Sequence, residues 1–287
     1  MHRTNATRRS PNQVVGIWRL KESLHQGQWT DIYCAQPAEA KGSPRADYAV
    51  KILTEPRDAQ AEGRKQIENE ASSLASTRHP NLIALLDAHI GGPAPFLVFP
   101  RLEGCTLSKL IVGSYNQPIP VCLWWIRQMA QALEALHRAG WAHSDVKPSN
   151  LIVSARGHVT LIDCGLAQPL GGSIEQGRFQ GTPGYAAPEL TRSRPVATAA
   201  ADIYALGVLF HQVLSRRWVT QGDYCPSAAD LEILGVHPPI VELISRMADT
   251  DPANRPTVKD LIDTVFRLEI ECLGMHIQPE EPDAKAA

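Results

Sequence analysis

Two hydrophobic patterns divide the chain. From Ile17 to Val50 apolar and β-branched residues come in short runs separated by turn formers, and YAVKIL (48–53) has strand character. The stretch AQPAEAKGSPRAD (35–47) carries Pro, Gly and Ser and reads as an exposed loop. Asp58 to Thr77 is rich in helix formers, with Ile67, Leu74 and the small residues between them marking one apolar face. LIALLDAHI (82–90) and PFLVF (95–99) predict two more short buried strands. The first third is therefore expected to be a small sheet with a single helix.

From Pro120 the period lengthens. In VCLWWIRQMAQALEALHRAG, Leu123, Ile126, Met129, Leu133 and Leu136 recur at helical spacing, and Gly140 follows as a stop. Trp124 and Trp125 on this helix read as packing residues. TAAADIYALGVLFHQVLS, IVELISRMA and PTVKDLIDTVFRLEI predict further helices, the last opening near Pro256. The tail QPEEPDAKAA is polar and is expected to be disordered. No internal repeat is present.

Composition narrows the class. At 287 residues with 44% hydrophobic residues, the chain can form one large domain or two lobes sharing a cleft. A formal net charge of -2 gives no reason to expect a nucleic-acid partner; the basic start RTNATRRS reads as simple disorder, with a local electrostatic contact as the weaker alternative. Six cysteines (Cys34, Cys105, Cys122, Cys164, Cys225 and Cys272) lie far apart, without metal-site pairs, and fit reduced thiols in a cytoplasm. The N-terminus lacks a signal peptide's apolar run, and no segment approaches the roughly 20 apolar residues a bilayer needs. A cytoplasmic chain without a membrane span is expected.

The chemistry concentrates in HSDVKPSNLIVSARGHVTLIDCG, His143 to Gly165. LIV and HVTLI are strand-like runs joined by SARG, which predicts a hairpin. Asn150 precedes the first run and Asp163 follows the second, so antiparallel pairing brings an amide oxygen beside a carboxylate. Such oxygens suit Mg²⁺, which is held by few protein ligands plus substrate phosphates. Asp145 and Lys147, on the preceding loop, then provide a proton acceptor and a phosphate counter-charge.

This constellation resembles the catalytic loop and metal-binding motif of eukaryotic-type protein kinases, H-R-D-x-K-x-x-N and D-F-G. Further motifs continue in order: YAVK with Lys51, Glu70 nine residues before His79 of RHPNL, GTPGYAAPEL with the box Ala187 to Glu189, Asp202 in DIYALG and Arg255 in DPANRP. The resemblance covers about Ile17 to Glu269 and looks most like bacterial serine/threonine kinases. It implies an α+β, two-lobed protein-kinase fold: an antiparallel-sheet N-lobe with one helix (17–100) and a mainly helical C-lobe (101–270), between a flexible start (1–16) and a tail (271–287). ATP and Mg²⁺ would bind in the cleft, and the γ-phosphoryl group would pass to Ser or Thr of protein substrates. The resemblance makes Asp145 the base, Lys147 the charge balance, Lys51 the phosphate grip and Glu70 its partner. Asn150 and Asp163 become the metal ligands, Gly27 and Ile32 line the nucleotide, and Ala49 and Ile152 contact adenine. Thr182 would touch Asp145, and Glu189 would pair with Arg255.

Several positions depart from the family pattern. His25, Gly27 and Thr30 stand where three glycines are usual. Trp29, at the loop tip, either covers the phosphates or packs as an exposed aromatic on the sheet. Cys164 replaces the Phe of D-F-G, with Leu74 and His143 as expected neighbours; carboxylates around it would raise its pKa and oppose redox sensing. Ser144 replaces the Arg that usually holds a phosphorylated activation segment, so switching through Ser173 is weakly implied. Phe99 would make the pocket behind adenine small. These departures leave an alternative open, a pseudokinase acting as a nucleotide-binding or scaffold module. Small-molecule phosphotransferases share the Asp, Asn and Asp logic but are not expected to carry the APE box.

Overall fold

The computed structural model describes residues 12–40, 45–53, 60–113, 117–174, 181–191, 195–217 and 226–277. RTNATRRS, Cys225, QPEEPDAKAA and the helix start expected at Asp58 lie outside the described residues. The first lobe holds β1 (Val14–Val15), β2 (Trp18–Gln26), β3 (Thr30–Pro37), β4 (Tyr48–Leu53), helix α1 (Gln60–Ala75), β5 (Asp87–His89) and β6 (Phe96–Pro100). The strands form one antiparallel sheet in the order β1-β2-β3-β4-β6-β5.

Register sorts this sheet into two faces. Ile32 pairs with Lys51, Lys51 with Leu97, and Ala49 with Phe99, so these five residues share one face. Tyr33, Val50 and Val98 take the other, where they pack with Trp18, Leu20, Ile52 and Phe96. On the first face Leu53, Leu97 and Phe99 join Ile67 and Leu74 of α1 in a core continuous with the second lobe. The lysine of YAVKIL thus comes from a strand buried on both sides, where an ammonium requires a partner.

The second lobe contains β7 (Cys105–Thr106), α2 (Leu107–Val112), α3 (Ile119–Arg138), β8 (Trp141–Ala142), β9 (Leu151–Val153), β10 (Val159–Leu161), β11 (Gln168–Pro169), α4 (Ala199–Ser215), α5 (Ala228–Ile233), α6 (Pro238–Met247) and α7 (Val258–Ile277). Helix α3 buries its five expected apolar residues and ends before Gly140, whose φ of +86° favours glycine. Thr198 caps α4 by accepting the Ala201 N–H. The predicted hairpin is present as β9 and β10, in register Leu151 to Leu161. Its turn is seated on α3, where buried Gln128 donates to the Gly157 carbonyl and accepts from the Val159 N–H. Among the described residues no helix is long and apolar enough to cross a membrane.

Three expectations change. The run Leu82–Ile90 is a strand only over Asp87–His89, because Leu82 and Ile83 instead enter the core between the lobes. There the backbone pairs with β10: the Ile83 N–H donates to Leu161 at 2.9 Å, and the Leu161 N–H donates to Asn81 at 2.8 Å. Strand β3 continues through Ala35–Pro37, which the loop reading of 35–47 had excluded, because Trp18, Arg19 and Leu20 of β2 pair with it. The boundaries at 17 and 270 both fall inside ordered structure: Val14 and Val15 pair with β2, and α7 continues to Ile277 with Cys272 buried.

Gly157→Ala tests the hairpin seat. Gly157 has φ +77°, and an added Cβ would lie 2.5 Å from the Trp124 ring. The substitution should destabilise the chain by roughly 1–3 kcal/mol, measured by urea unfolding.

Candidate active site

The centre of the cleft is a buried ammonium between two carboxylates. Lys51 Nζ, from β4, lies 2.6 Å from Glu70 Oε2 of α1 and 2.8 Å from Asp163 Oδ1, just beyond β10. Glu70 also accepts the Cys164 N–H through Oε1 at 3.3 Å. Burial alone would pull the Lys51 pKa down, but Asp163 and Glu70 outweigh it and raise it. Burial would raise the Asp163 carboxyl, yet Lys51 and the Gly165 N–H hold it down at about 2. Glu70 is raised, chiefly by burial, with Asp163 adding and Lys51 opposing. Two carboxylates share one ammonium, so the triad has room for further positive charge.

The donor set fits a hard cation. The Asp163 side chain is 46% exposed, and its Oδ2 accepts no hydrogen bond from the described residues. Asn150 spends its Nδ2 on the Asp145 carbonyl at 3.0 Å and on Asp145 Oδ2 at 3.1 Å, which turns Oδ1 away from these bonds. The Ile162 N–H donates to the Asn150 carbonyl at 2.8 Å, so the hairpin joins the backbone at Asn150 to the residue just before Asp163. Among the described residues no cluster of three or more His, Cys, Asp or Glu is placed to hold a metal. Two oxygen donors suit Mg²⁺, which keeps waters and phosphate oxygens as its other ligands.

Below the triad, Asp145 is held by a ring of donors. Thr182 Oγ1 donates to Oδ1 at 2.6 Å, while Lys147 Nζ reaches Oδ2 at 2.6 Å and Thr182 Oγ1 at 2.8 Å. Thr182 thus touches Asp145 as the resemblance implied. The loop backbone is anchored by Asp202, which accepts the His143 and Ser144 N–H groups at 2.8 Å each. His137 of α3 lies 2.8 Å from the same carboxylate. Burial would raise the Asp202 carboxyl; the His137 contact leads the effects that bring it below the ordinary range. This clamp holds Ser144 at φ +64°, a conformation a non-glycine residue rarely adopts without such support. Asp202 stands in DIYALG without any local sign of this task, and His137 belongs to none of the motifs. A histidine six residues before His143 was the available signal.

The activation segment ends in a second anchor. Arg255 donates to both oxygens of Glu189, at 2.6 and 2.8 Å, and to the Asp249 and Ala200 carbonyls at 2.8 and 2.9 Å. Its guanidinium also lies 4.9 Å from the Tyr204 ring centroid. Ser173 pairs with Val196 in an isolated antiparallel bridge.

The residues that the resemblance assigns to the nucleotide divide. Ile32 and Ala49 are half-buried on the Lys51 face of the sheet, and half-buried Ile152 pairs with Thr106 across β9 and β7. Phe99 is buried opposite Ala49. Gly27 is required by close approach, not by positive φ: its N–H donates to the Thr30 carbonyl at 3.0 Å, and an added Cβ would lie 2.6 Å from that oxygen. Trp29 is half-buried with its Cβ against Gly63 of α1, so the exposed-tip reading is corrected. Cys164 is fully buried in the core that holds Leu74, and the backbone bond to Glu70 ties its segment to α1.

Residues 19–267 match the family model described as protein kinase domain. The serine/threonine-protein kinase PkaA of Streptomyces coelicolor is 29% identical over 289 residues, covering 92% of this chain and 52% of that protein. PknL of Mycobacterium tuberculosis, also named a serine/threonine-protein kinase, is 32% identical over 65% of this chain and 50% of its own length. PknB of Mycobacterium leprae is 29% identical over 77% of this chain and 36% of its own. The chain spans about half the length of the first two relatives.

Two measurements test this geometry. The Arg255 side chain is 0% exposed, so Arg255→Met would leave the Glu189 carboxylate without its partner and should cost about 3–5 kcal/mol in urea unfolding. Burial first, then the Glu70 and Asp163 carboxylates, pushes the Cys164 thiol well up, and burial takes Cys122 up to about 12. At pH 8 iodoacetamide should therefore label half-buried Cys105 ahead of the buried Cys34, Cys122, Cys164 and Cys272, as read by peptide mass spectrometry. Rapid labelling of Cys164 in the folded chain would contradict its placement.

Proposed function

Because the chain belongs to the protein kinase family, we propose that it transfers the γ-phosphoryl group of ATP to serine or threonine hydroxyls of proteins. The observation that carries this reading is the simultaneous formation of the Lys51–Glu70 pair and the Asp145–Lys147–Thr182 ring. In such a site Lys51, fixed by Glu70, grips the nucleotide phosphates and sets their direction. Asp145 exchanges the Thr182 hydroxyl for the acceptor hydroxyl, orients it for in-line attack and takes its proton. Lys147, already within reach of that carboxylate, balances charge on the transferred group. Asn150 and Asp163 would hold Mg²⁺, which supplies charge neutralisation at the phosphate oxygens.

The pseudokinase alternative draws on His25, Thr30, Ser144 and Cys164. Against it, none of these substitutions removes a group from the two clusters just described. Gly27 retains its turn, Ser144 keeps its backbone anchored, and Cys164 keeps its bond to Glu70. The reading therefore remains an active enzyme acting on proteins.

Phosphate incorporation tests it. Purified chain, Mg-ATP and a generic basic protein should give a mass increase by intact-protein mass spectrometry. Asp145→Asn should lower the rate by about a thousandfold while ATP still binds, and Lys51→Met should impair transfer by misplacing the phosphates. A folded chain that binds Mg-ATP yet transfers nothing would favour the pseudokinase. Wild-type rates in Asp145→Asn would remove that residue from the mechanism.

A further inference from the structure

Helix α1 reaches the nucleotide machinery through one face, at Gly63, Gln66 and Glu70, spaced three and four residues apart. Glu70 binds Lys51, and Gln66 lies against the segment after Asp163, since a Cβ added to Gly165 would sit 3.4 Å from Gln66 Cβ. Gly63 is buried, and a Cβ added there would lie 2.5 Å from Leu53 Cδ1, 3.1 Å from Trp29 Cβ and 3.4 Å from the Trp29 carbonyl oxygen. Glycine is a poor helix former, so its use on the inward face of α1 calls for a reason in packing. Here the reason is the approach of the phosphate loop itself.

We propose that Gly63 is a positioning residue: it forms the seat on which the turn Gly27–Thr30 rests, and so sets where that turn's backbone meets the ATP phosphates. The proposal rests on the kinase reading and deepens it. In the family pattern three glycines let this loop adapt to the nucleotide. In this chain His25 and Thr30 remove two of them, and the remaining turn is closed by the Gly27 N–H bond to Thr30 at 3.0 Å. A loop with less freedom of its own takes its position from what it packs on. Trp29 provides that contact through its Cβ and carbonyl, so the seat depends on a missing side chain in α1. The same helix face then fixes the loop, the lysine and the metal-side segment together.

Three variants separate this role from a general packing effect. Gly63→Ala crowds both Leu53 and Trp29; adding Leu53→Val relieves the first contact and leaves the second. Gly274→Ala, on an exposed turn of α7 with nothing within 4 Å of the added Cβ, controls for replacing a helix glycine. Hydrogen exchange across 26–30 should accelerate in both Gly63 variants and not in the control. Affinity for Mg-ATP should fall about tenfold in both while affinity for adenosine, which has no phosphates, stays within about twofold. Recovery of wild-type values in the double variant would assign the effect to Leu53 and overturn the proposal, as would equal losses for ATP and adenosine. A wild-type chain binding neither ligand would sink the kinase reading, and the exchange comparison would still decide whether Gly63 seats the loop.

Discussion

One ammonium in a mostly apolar environment organises the cleft. Lys51 stands on a strand whose neighbours are buried, and neither of its carboxylate partners comes from that strand. Glu70 must arrive on a helix and Asp163 on the exit of a hairpin from the other lobe. Removing either partner leaves burial without full compensation, so the arrangement favours one relative placement of sheet, helix and hairpin. The bond from the Cys164 N–H to Glu70 adds a third attachment at the same point.

A second organising centre, Asp202, serves the catalytic loop in a different way. It supports a conformation in place of a charge. Two successive N–H groups converge on a carboxylate from α4, and His137 approaches from α3, so the loop is suspended between helices of the larger lobe. Arg255 does comparable work for the end of the activation segment, joining Glu189 to the Ala200 carbonyl in α4 and the Asp249 carbonyl beyond α6. The triad joins the lobes, and these two anchors give Asp145 a fixed floor.

Much of this was legible in the sequence because each motif carries its chemistry within a few residues. The order from Asp145 to Asp163 contains its own hairpin, and helical spacing identified the buried face of α3. Less was legible where partners come from a distance. Leu82 and Ile83 resemble strand residues by composition, but their backbone is claimed by β10 and their side chains by the core between the lobes. Pro37 looked like a loop former, yet it ends a strand paired with Trp18. The work of Asp202 and Gly63 left no local pattern, since one is a convergence of three segments and the other is a side chain that is not there. Trp29 invited two readings, and only the position of α1 decides between them.

The attachment of Cys164 has an evolutionary consequence. Its bond to Glu70 is made by the main chain, and an N–H is common to nineteen of the twenty residue types, proline alone lacking it. The join between this segment and α1 is therefore blind to the side chain it carries. A lineage could exchange an aromatic ring for a thiol here, lose packing volume, and keep the geometry of Asp163 one residue away. What constrains the position is the peptide unit, so drift in its side chain need not mark the decay of the site.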